Sequence, residues 1–385
     1  MAEKNLTSGM KTARILGEPS FELHSDLTSV AVTRDGGQLA PVQYVLGNKT
    51  VTPFHVAPWA GLKEARSLPP VLRTLRGDFF CMPFGGNDTP WRDEQHPIHG
   101  ETANGRWKFS ESQQTREWSA LELNLKMRIR EGSVKKWIGL HVGHSAVYSR
   151  HIVSGASGPM NFGHHAMLTF DSGTARISTA NFQRGQVFPG EFEKPALGGY
   201  SSLKAGARFK DLSKVPAADG TFADLTTYPA REGFEDLVMV SAKPGSPFGW
   251  TAVTFPESRY VWFSLKDPRV LASTVLWHSN GGRHYPPWNG RHRGVLGLEE
   301  VTSFFHYGLA QSVSENEVNS DGIPTFVVLS PDTPLVVNTI MGVAAIPAGF
   351  DRVKSIEARD DEIHIDSYNG KATRAKVAVN FLYDR

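Results

Sequence analysis

The stretch RYVWFSLKDPRVLASTVLWHS, residues 259–279, contains two runs of β-branched and aromatic residues on either side of a Lys-Asp-Pro turn. Such runs favour strands, and the Asp-Pro pair favours a turn between them. Residues 29–46, 326–343 and 371–385 have similar strand-forming composition, and turn signals such as Asp-Gly-Gly and Ser-Pro-Asp interrupt the first two. Helical periodicity is scarce, with one or two helical turns expected in residues 69–77. The sequence therefore predicts an all-β protein with few short helices.

The chain shows no sign of division into several domains. Its 37 glycines and 24 prolines are spread along all 385 residues, with no low-complexity linker and no repeat of fixed period. We expect a single domain over residues 21–385, built mainly from two packed antiparallel sheets with long loops. Residues 1–20 are a candidate loose arm.

Composition and charge argue against several classes of protein. A formal net charge of +2, with acidic and basic residues interspersed, does not indicate binding to nucleic acid or to a membrane. No apolar segment is long enough for a transmembrane helix, and the first residues do not resemble a signal peptide. Cys81, the single cysteine, allows no internal disulfide and lies between bulky apolar residues. We expect a buried thiol and a cytoplasmic location.

Metal and nucleotide chemistry have little support in the sequence. His96 and His99 form an HxxH pair, but in a predicted loop this spacing is a weak signal. His141 and His144 are three apart on a predicted strand and would face opposite ways. The G-x-S-x-G, G-x-G-x-x-G and P-loop patterns are absent from the sequence. We therefore predict no metal and no organic cofactor.

Two adjacent histidines stand out in GPMNFGHHAMLTF, residues 158–170. Alternate strand residues point to opposite faces, so His164 and His165 cannot face the same space. The face of His164 is the more apolar, shared with Ala166, Leu168 and Phe170. We therefore predict that His164 packs inward and that His165 faces an open cleft.

A similar choice arises between Glu299 and Glu300. Gly297 lies on the same strand face as Glu299, and a glycine inside a strand often marks the close approach of a ligand. This favours Glu299 as the functional carboxylate. Imidazoles and a carboxylate are the groups that a proton-transfer enzyme uses near neutral pH.

The order of these groups along the chain resembles that of the galactose mutarotase, or aldose 1-epimerase, superfamily, including its hexose-6-phosphate mutarotase branch. The similar segments are SVAVTRDGGQLAPV (29–42), LRGDFFCMPFGG (75–86), HPIHGETANGRW (96–107), GHHAMLTF (163–170), TVLWHS (274–279) and LGLEEV (296–301). The resemblance implies a large antiparallel β-supersandwich with its site in a cleft on the larger sheet. His164 and Met167 depart from the family pattern, which has Asn and an aromatic residue there.

The resemblance also implies an activity and a set of site residues. The activity is interconversion of the α and β anomers of a sugar or sugar phosphate, with His165 as the general acid and Glu299 as the general base. Substrate contacts are implied for His99, Arg76, Asp236 and Trp277.

Other interpretations of the sequence stay open at this point. A non-catalytic carbohydrate-binding protein on the same fold would keep the aromatic residues without needing Glu299 and His165 to converge. A polysaccharide lyase-type domain would need a long groove and a Tyr or His base. Three arginines precede Glu299 and could bind a phosphate or a sugar acid, or form a solvated rim around the site: Arg283, Arg291 and Arg293. The oligomeric state cannot be read from the sequence.

Overall fold

The computed structural model describes residues 5–6, 11–170 and 173–385, with the backbone alone described at residues 5 and 6. Two large antiparallel sheets dominate the fold, and this confirms the predicted all-β class. The first has ten strands, in the spatial order Asn5–Leu6, Lys108–Gln114, Trp118–Lys126, Ser133–His141, Ala146–Ser154, Leu335–Ala345, Tyr260–Lys266, Gly249–Phe255, Ala175–Thr179 and Thr227–Tyr228.

The second large sheet has eight strands and carries the candidate site described below. Its strands follow the order Arg208–Phe209, Phe182–Val187, Phe234–Ala242, Ser273–Asn280 and Val295–Thr302. Two short strands, Phe162–His164 and Ala166–Thr169, both pair with Val295–Thr302, and Phe80–Cys81 lies at the edge.

Smaller sheets and short helices complete the described part of the chain. A five-stranded sheet contains Ala13–Ile15, Glu18–His24, Thr28–Thr33, Leu39–Leu46 and Lys49–Val51. A three-stranded sheet contains Val353–Arg359, Glu362–Ser367 and Ala372–Lys376. Two further pairs are Gly158–Met160 with Val327–Leu329 and Val215–Pro216 with Phe222–Ala223. The α-helices are Pro70–Thr74, Gly100–Asn104 and Leu309–Val313, and the 3-10 helices are Lys63–Ser67, Pro195–Leu197 and Val379–Tyr383. None of the helices in the described ranges is both long and apolar enough to span a membrane.

The stretch 259–279 links the two large sheets. Its first strand, Tyr260–Lys266, belongs to the ten-stranded sheet, and its second, Ser273–Asn280, belongs to the eight-stranded sheet. Both strands are buried along their whole length, which explains their nearly continuous apolar composition. The Lys-Asp-Pro turn therefore joins two layers, as expected for a sandwich.

The main hydrophobic core lies between the two large sheets. It combines side chains such as Leu276 and Leu298 of the eight-stranded sheet with Ile138 and Val337 of the ten-stranded sheet. A second cluster, which includes Met167, Leu237 and Trp277, lies on the other face of the eight-stranded sheet. Loops and the short helix Pro70–Thr74 cover that outer face.

Two regions refine the sequence interpretation. Residues 371–385 form a strand only as far as Lys376, and the expected strand continuation is wrong, because Val379–Tyr383 is a 3-10 helix packed in a separate hydrophobic cluster on the outer face of the ten-stranded sheet. The candidate loose arm, residues 1–20, lies partly outside the described residues, at 1–4 and 7–10. From Ala13 onward it belongs to the five-stranded sheet, whose strand Glu18–His24 spans the boundary at residue 20. Cys81 is buried as a free thiol, as expected.

Candidate active site

A small cavity of about 200 Å³ lies on the outer face of the eight-stranded sheet. Its floor comes from the strands Phe234–Ala242, Ser273–Asn280 and Val295–Thr302. The helix Pro70–Thr74 and loops around residues 99, 192, 285 and 306 form its walls. The lining residues are Val71, Leu72, Leu75, Ile98, His99, His165, Phe192, Leu237, Trp277, Arg283, Tyr285, Trp288, Glu299 and His306.

Strand register brings His165 and Glu299 together at the bottom of this cavity. Gly163 pairs with Val301 and Ala166 pairs with Leu298, so the same register places His165 opposite Glu299. His165 Nε2 lies 3.4 Å from Glu299 Oε1. The His165 ring also stacks on Phe79, and its backbone N–H donates to the Phe79 carbonyl. The imidazole is therefore held in one orientation by both backbone and ring contacts.

Burial controls the protonation of this pair. It raises the pKa of Glu299 well above the ordinary carboxyl range, and the opposing effect of Arg283 is smaller. Burial also lowers the pKa of His165 to about 4. Burial therefore favours the uncharged forms of both groups, a protonated carboxyl beside a neutral imidazole. Neither Glu299 Oε2 nor His165 Nδ1 has a hydrogen-bond partner among the described residues, although both atoms are buried.

Two more histidines form a chain next to this pair. The Gly85 N–H donates to His99 Nδ1 at 3.5 Å, and the His99 and His306 Nε2 atoms are 3.3 Å apart. We assign the His99 hydrogen to Nε2, where it donates to His306. The His99 ring also makes an edge contact with the His165 ring, at 4.8 Å between centroids. Burial lowers the pKa of His306 to about 3 and that of His99 well below its ordinary value, so both are neutral.

A buried guanidinium closes one side of the cavity. Arg283 lies over the ring faces of Trp288, Trp277 and Phe192, at 4.5, 5.1 and 5.5 Å from their centroids. Its Nε donates to Glu193 Oε1 at 2.6 Å, and the Tyr285 hydroxyl donates to the other Glu193 oxygen at 3.0 Å. Aromatic faces beside polar hydrogen-bonding groups are the surfaces that suit a sugar ring.

No protein-family model and no curated protein matches the chain. Solved structures do match. A candidate aldose 1-epimerase from Escherichia coli K12 superposes with a TM-score of 0.56 at 13% identity, over 85% of this chain and 99% of that one. A galactose mutarotase-like protein from Clostridium acetobutylicum gives 0.56 at 12% identity, over 87% and 98%. A candidate mutarotase from Salmonella typhimurium gives 0.57 at 11% identity, over 90% and 97%.

The chain has the galactose mutarotase-like fold. This confirms the superfamily fold that the sequence segments implied. One detail differs from the expectation, because the cavity lies on the eight-stranded sheet and not on the larger, ten-stranded one. The main core covers the inner face of the ten-stranded sheet, and a third hydrophobic cluster, which includes Phe263, Ile340 and Phe381, lies on its other face.

Within this galactose mutarotase-like fold, four of the six predicted site residues line the same cavity: Glu299, His165, His99 and Trp277. His164 points the other way, as strand alternation predicts. It contacts Asp78 through Nδ1 at 2.8 Å and Thr339 of the ten-stranded sheet through Nε2. Glu300 also faces inward, where Lys266 and Thr251 bind it.

Arg76 is not brought to the cavity. Its side chain is fully buried, and its guanidinium donates to the carbonyls of Thr74, Ile15 and Leu16. These contacts tie the hairpin turn after Ala13–Ile15 to the helix Pro70–Thr74. The described contacts of Arg76 are therefore those of a residue that holds two chain segments together.

Asp236 also lies outside the cavity. It alternates with Leu237, which lines the cavity, so its side chain points to the other side of the strand. There it accepts hydrogen bonds from the backbone of Ser202 and Leu203 and pairs with Arg231. The preceding carboxylate, Glu235, shares the face of Leu237 and accepts from Trp277 Nε1 at 2.9 Å. Burial raises the pKa of Glu235 to about 7.

The other histidine and arginine candidates lie apart from the cavity. His96 pairs with Glu94 at 2.8 Å, so the HxxH pair does not converge. Arg291 and Arg293 form ion pairs at the surface, with Glu64 and Glu232 respectively. Only Arg283 of the three loop arginines reaches the cavity. No three His, Cys, Asp or Glu side chains within the described ranges form a group that could hold a metal ion.

Three residues that line the cavity or contact its lining were not predicted from the sequence: His306, Tyr285 and Glu193. His306 lies in an aromatic loop just after the strand Val295–Thr302, and this position is the one signal that could have identified it. Glu193 and Tyr285 lie in loops whose pairing depends on the fold and has no local pattern.

Proposed function

We propose that this protein is an aldose 1-epimerase that interconverts the anomers of a small cyclic sugar by acid–base ring opening. The observation that carries the proposal is the convergence of Glu299 and His165 in one cavity. Each group has a buried polar atom without a partner. Unpaired buried atoms of this kind are costly unless a ligand satisfies them.

The separation of the two groups suits the reaction. The anomeric hydroxyl oxygen O1 and the ring oxygen O5 are both bonded to C1 of a cyclic aldose. An acid and a base that serve these two oxygens must therefore lie close together, and Nε2 and Oε1 are 3.4 Å apart. Hydroxyl groups of the sugar would donate hydrogen bonds to a charged Glu299 carboxylate, whose Oε2 has no partner among the described residues. Sugar binding would thus favour transfer of the Glu299 proton to His165.

The reaction then proceeds by two balanced proton transfers. Glu299 takes the proton from O1, the C1–O5 bond breaks as C1 becomes an aldehyde, and His165 gives its proton to O5. Rotation about C1–C2 exposes the other face of the aldehyde. Attack by O5 with the reverse transfers closes the ring as the opposite anomer and restores both residues. His99, His306 and Arg283 would hold the sugar hydroxyls, and Trp277 or Trp288 would stack on the ring.

The test is a mutarotation assay by polarimetry and by NMR exchange on glucose, galactose and glucose 6-phosphate. We expect the Glu299→Gln variant to lower the enzyme-catalysed rate by roughly 10²- to 10⁴-fold, the usual size of a general acid–base contribution. Because burial raises the pKa of Glu299, the neutral amide should be tolerated and thermal unfolding should not shift downward at pH 7.

Glu232→Gln is the matched control, since Glu232 is an exposed partner of Arg293 outside the cavity. It should keep full activity. An unchanged rate in Glu299→Gln would refute the mechanism. Saturable sugar binding without any rate enhancement in the unmodified protein would instead support the non-catalytic carbohydrate-binding alternative.

A further inference from the structure

A second concave site lies close to the helix Pro70–Thr74, and we call it the arginine cleft. Its volume is about 320 Å³. The helix contributes to both sites, because Leu72 lines the sugar-sized cavity and Arg73 lines the cleft. Five guanidinium groups surround the cleft: Arg14, Arg34, Arg66, Arg73 and Arg106.

The arginine cleft carries a surplus of positive charge. Its two carboxylates, Glu18 and Asp35, are already bound by arginine. Arg73 contacts Glu18 at 3.3 Å and Asp35 at 2.7 Å, and Arg106 contacts Asp35 at 2.9 Å. Five guanidinium groups against two carboxylates leave three positive charges, while the whole chain has a formal net charge of only +2. The surplus is therefore local to this cleft.

Three of the five arginines have no acidic partner. Among the residues that the structure describes, Arg14, Arg34 and Arg66 form no ion pair with a carboxylate, and the side chain of Arg14 donates only to the Gly17 carbonyl. Arg34 Nε is buried, and no residue in the described part of the chain forms a hydrogen bond with it. A buried donor without a partner costs free energy, and an anion in the cleft would remove that cost.

The backbone around the cleft is firmly positioned. Gly17 has a φ of +85°, and a Cβ there would lie 2.3 Å from the Cα of Gly61, so the two backbones touch and only glycine fits. The buried guanidinium of Arg76 holds the same turn through the carbonyls of Ile15 and Leu16. The wall that carries Arg14 is therefore fixed before any ligand arrives.

We propose that the arginine cleft binds a small phosphorylated molecule, with Arg34 and Arg66 donating to its phosphate oxygens. Guanidinium groups match phosphate with paired N–H donors and keep their charge at all physiological pH values. The concave shape and limited volume suit a small molecule. A nucleic acid would need a much more extended contact surface. This proposal concerns a site separate from Glu299 and His165 and does not depend on the epimerase activity.

The test titrates inorganic pyrophosphate into the full-length protein by calorimetry, with thermal unfolding measured in parallel. Sodium chloride at matched ionic strength and inorganic phosphate are the reference titrations. The double variant Arg34→Gln/Arg66→Gln should weaken pyrophosphate binding at least about tenfold, because two unpaired guanidinium groups are lost. Both side chains lack ion pairs, so this variant should fold normally, as its unliganded melting temperature will show.

Arg293→Gln/Arg359→Gln is the matched control, since it removes the same two charges from exposed surface ion pairs. It should bind pyrophosphate like the unmodified protein. Equal weakening in both double variants would overturn the proposal, since it would show a general charge effect. A pyrophosphate response no larger than that of sodium chloride would also overturn it, as would binding of duplex DNA without binding of pyrophosphate.

Discussion

Arg76 is a fully buried cation whose described partners are all backbone carbonyls. Replacing it with glutamine leaves the carbonyls of Ile15, Leu16 and Thr74 without their donors. Burial lowers the pKa of Arg76 to about 10, so it is still charged at neutral pH and its hydrogen bonds are charge-assisted. We expect Arg76→Gln to lower the free energy of unfolding by roughly 3 kcal/mol, measured by urea denaturation.

The Arg76→Gln variant also distinguishes a structural role of Arg76 from a role in substrate binding. If the sequence-based expectation of a sugar contact were right, Arg76→Gln would raise KM for the sugar in the mutarotation assay. The contacts described here lead us to expect an unchanged KM. A raised KM in a variant of normal stability would contradict this. Arg359→Gln, at the exposed surface, is the control for loss of a positive charge.

At the scale of single residues, strand alternation predicted which way a side chain points but not which groups it contacts. It correctly predicted that His164 and His165 point in opposite directions, and the same two-residue period places Glu299 at the cavity and Glu300 on the inner face. It could not predict that Lys266 and Thr251 would satisfy Glu300 while Glu299 Oε2 stays unpaired. Those partners come from strands far away in sequence.

The strand Val295–Thr302 positions the candidate base through a glycine. A Cβ at Gly297 would lie 2.7 Å from Glu299 Oε1 and 3.0 Å from Trp277 Cβ. The flexible carboxylate would have to move, and Oε1 is the oxygen that faces His165. We expect Gly297→Ala to lower kcat for mutarotation by roughly 10- to 100-fold, since small displacements of reacting groups have effects of that size.

Val295→Ala in the same strand is the control for packing. Val295 is the first residue of the strand and is buried, so the variant removes buried methyl groups. It should lower the melting temperature without lowering kcat. Full activity in a correctly folded Gly297→Ala variant would contradict the positioning argument. A crystal structure of that variant would measure the displacement of the carboxylate directly.

At the scale of elements, the strands were predictable and their sheet membership was not. The stretch 259–279 was correctly read as strand, turn and strand, but nothing local indicates that its strands belong to different sheets. Residues 371–385 have the composition of a strand, yet Phe381 and Leu382 belong to a 3-10 helix that packs on the outer face of the ten-stranded sheet. The substrate-binding carboxylate was predicted at Asp236. Glu235 instead lies on the strand face that turns toward the cavity, and the sequence of the strand does not show which of the two residues lies on that face.

At the scale of the whole molecule, the cavity combines distant parts of the chain. Its side chains come from Leu72, His99, His165, Arg283, Glu299 and His306, which lie on strands, a helix and loops. Motif order could identify the residues on the strands, because each motif is tied to a strand pattern. Among the loop residues, the motifs singled out His99 but not His306, whose position follows from contacts between loops of separate regions.

Buried histidines give the whole molecule a predictable response to acid. Eight of its 14 histidines have a pKa below the ordinary value, with burial as the main cause: His96, His99, His144, His151, His165, His278, His292 and His306. Below about pH 6.5 these imidazoles bind protons in the unfolded chain but stay neutral in the folded protein. The stability that these histidines contribute is therefore fully present above that pH and is lost as the pH falls toward about 4, the pKa of His165 and His144.

We expect a steep acid unfolding transition between about pH 6.5 and 4, measured by circular dichroism together with proton uptake. Each extra proton bound by the unfolded chain contributes about 1.4 kcal/mol per pH unit, so four such histidines would give roughly 5–6 kcal/mol per unit. His151→Phe should shift the transition to lower pH, because neither His151 nitrogen has a partner and its ring stacks on Phe80. His24→Gln, at an exposed position, should leave the transition unchanged. A stability that stays flat down to pH 4, or equal responses from the two variants, would contradict the argument, because a buried imidazole kept neutral by the fold ties folding to proton release and an exposed one does not.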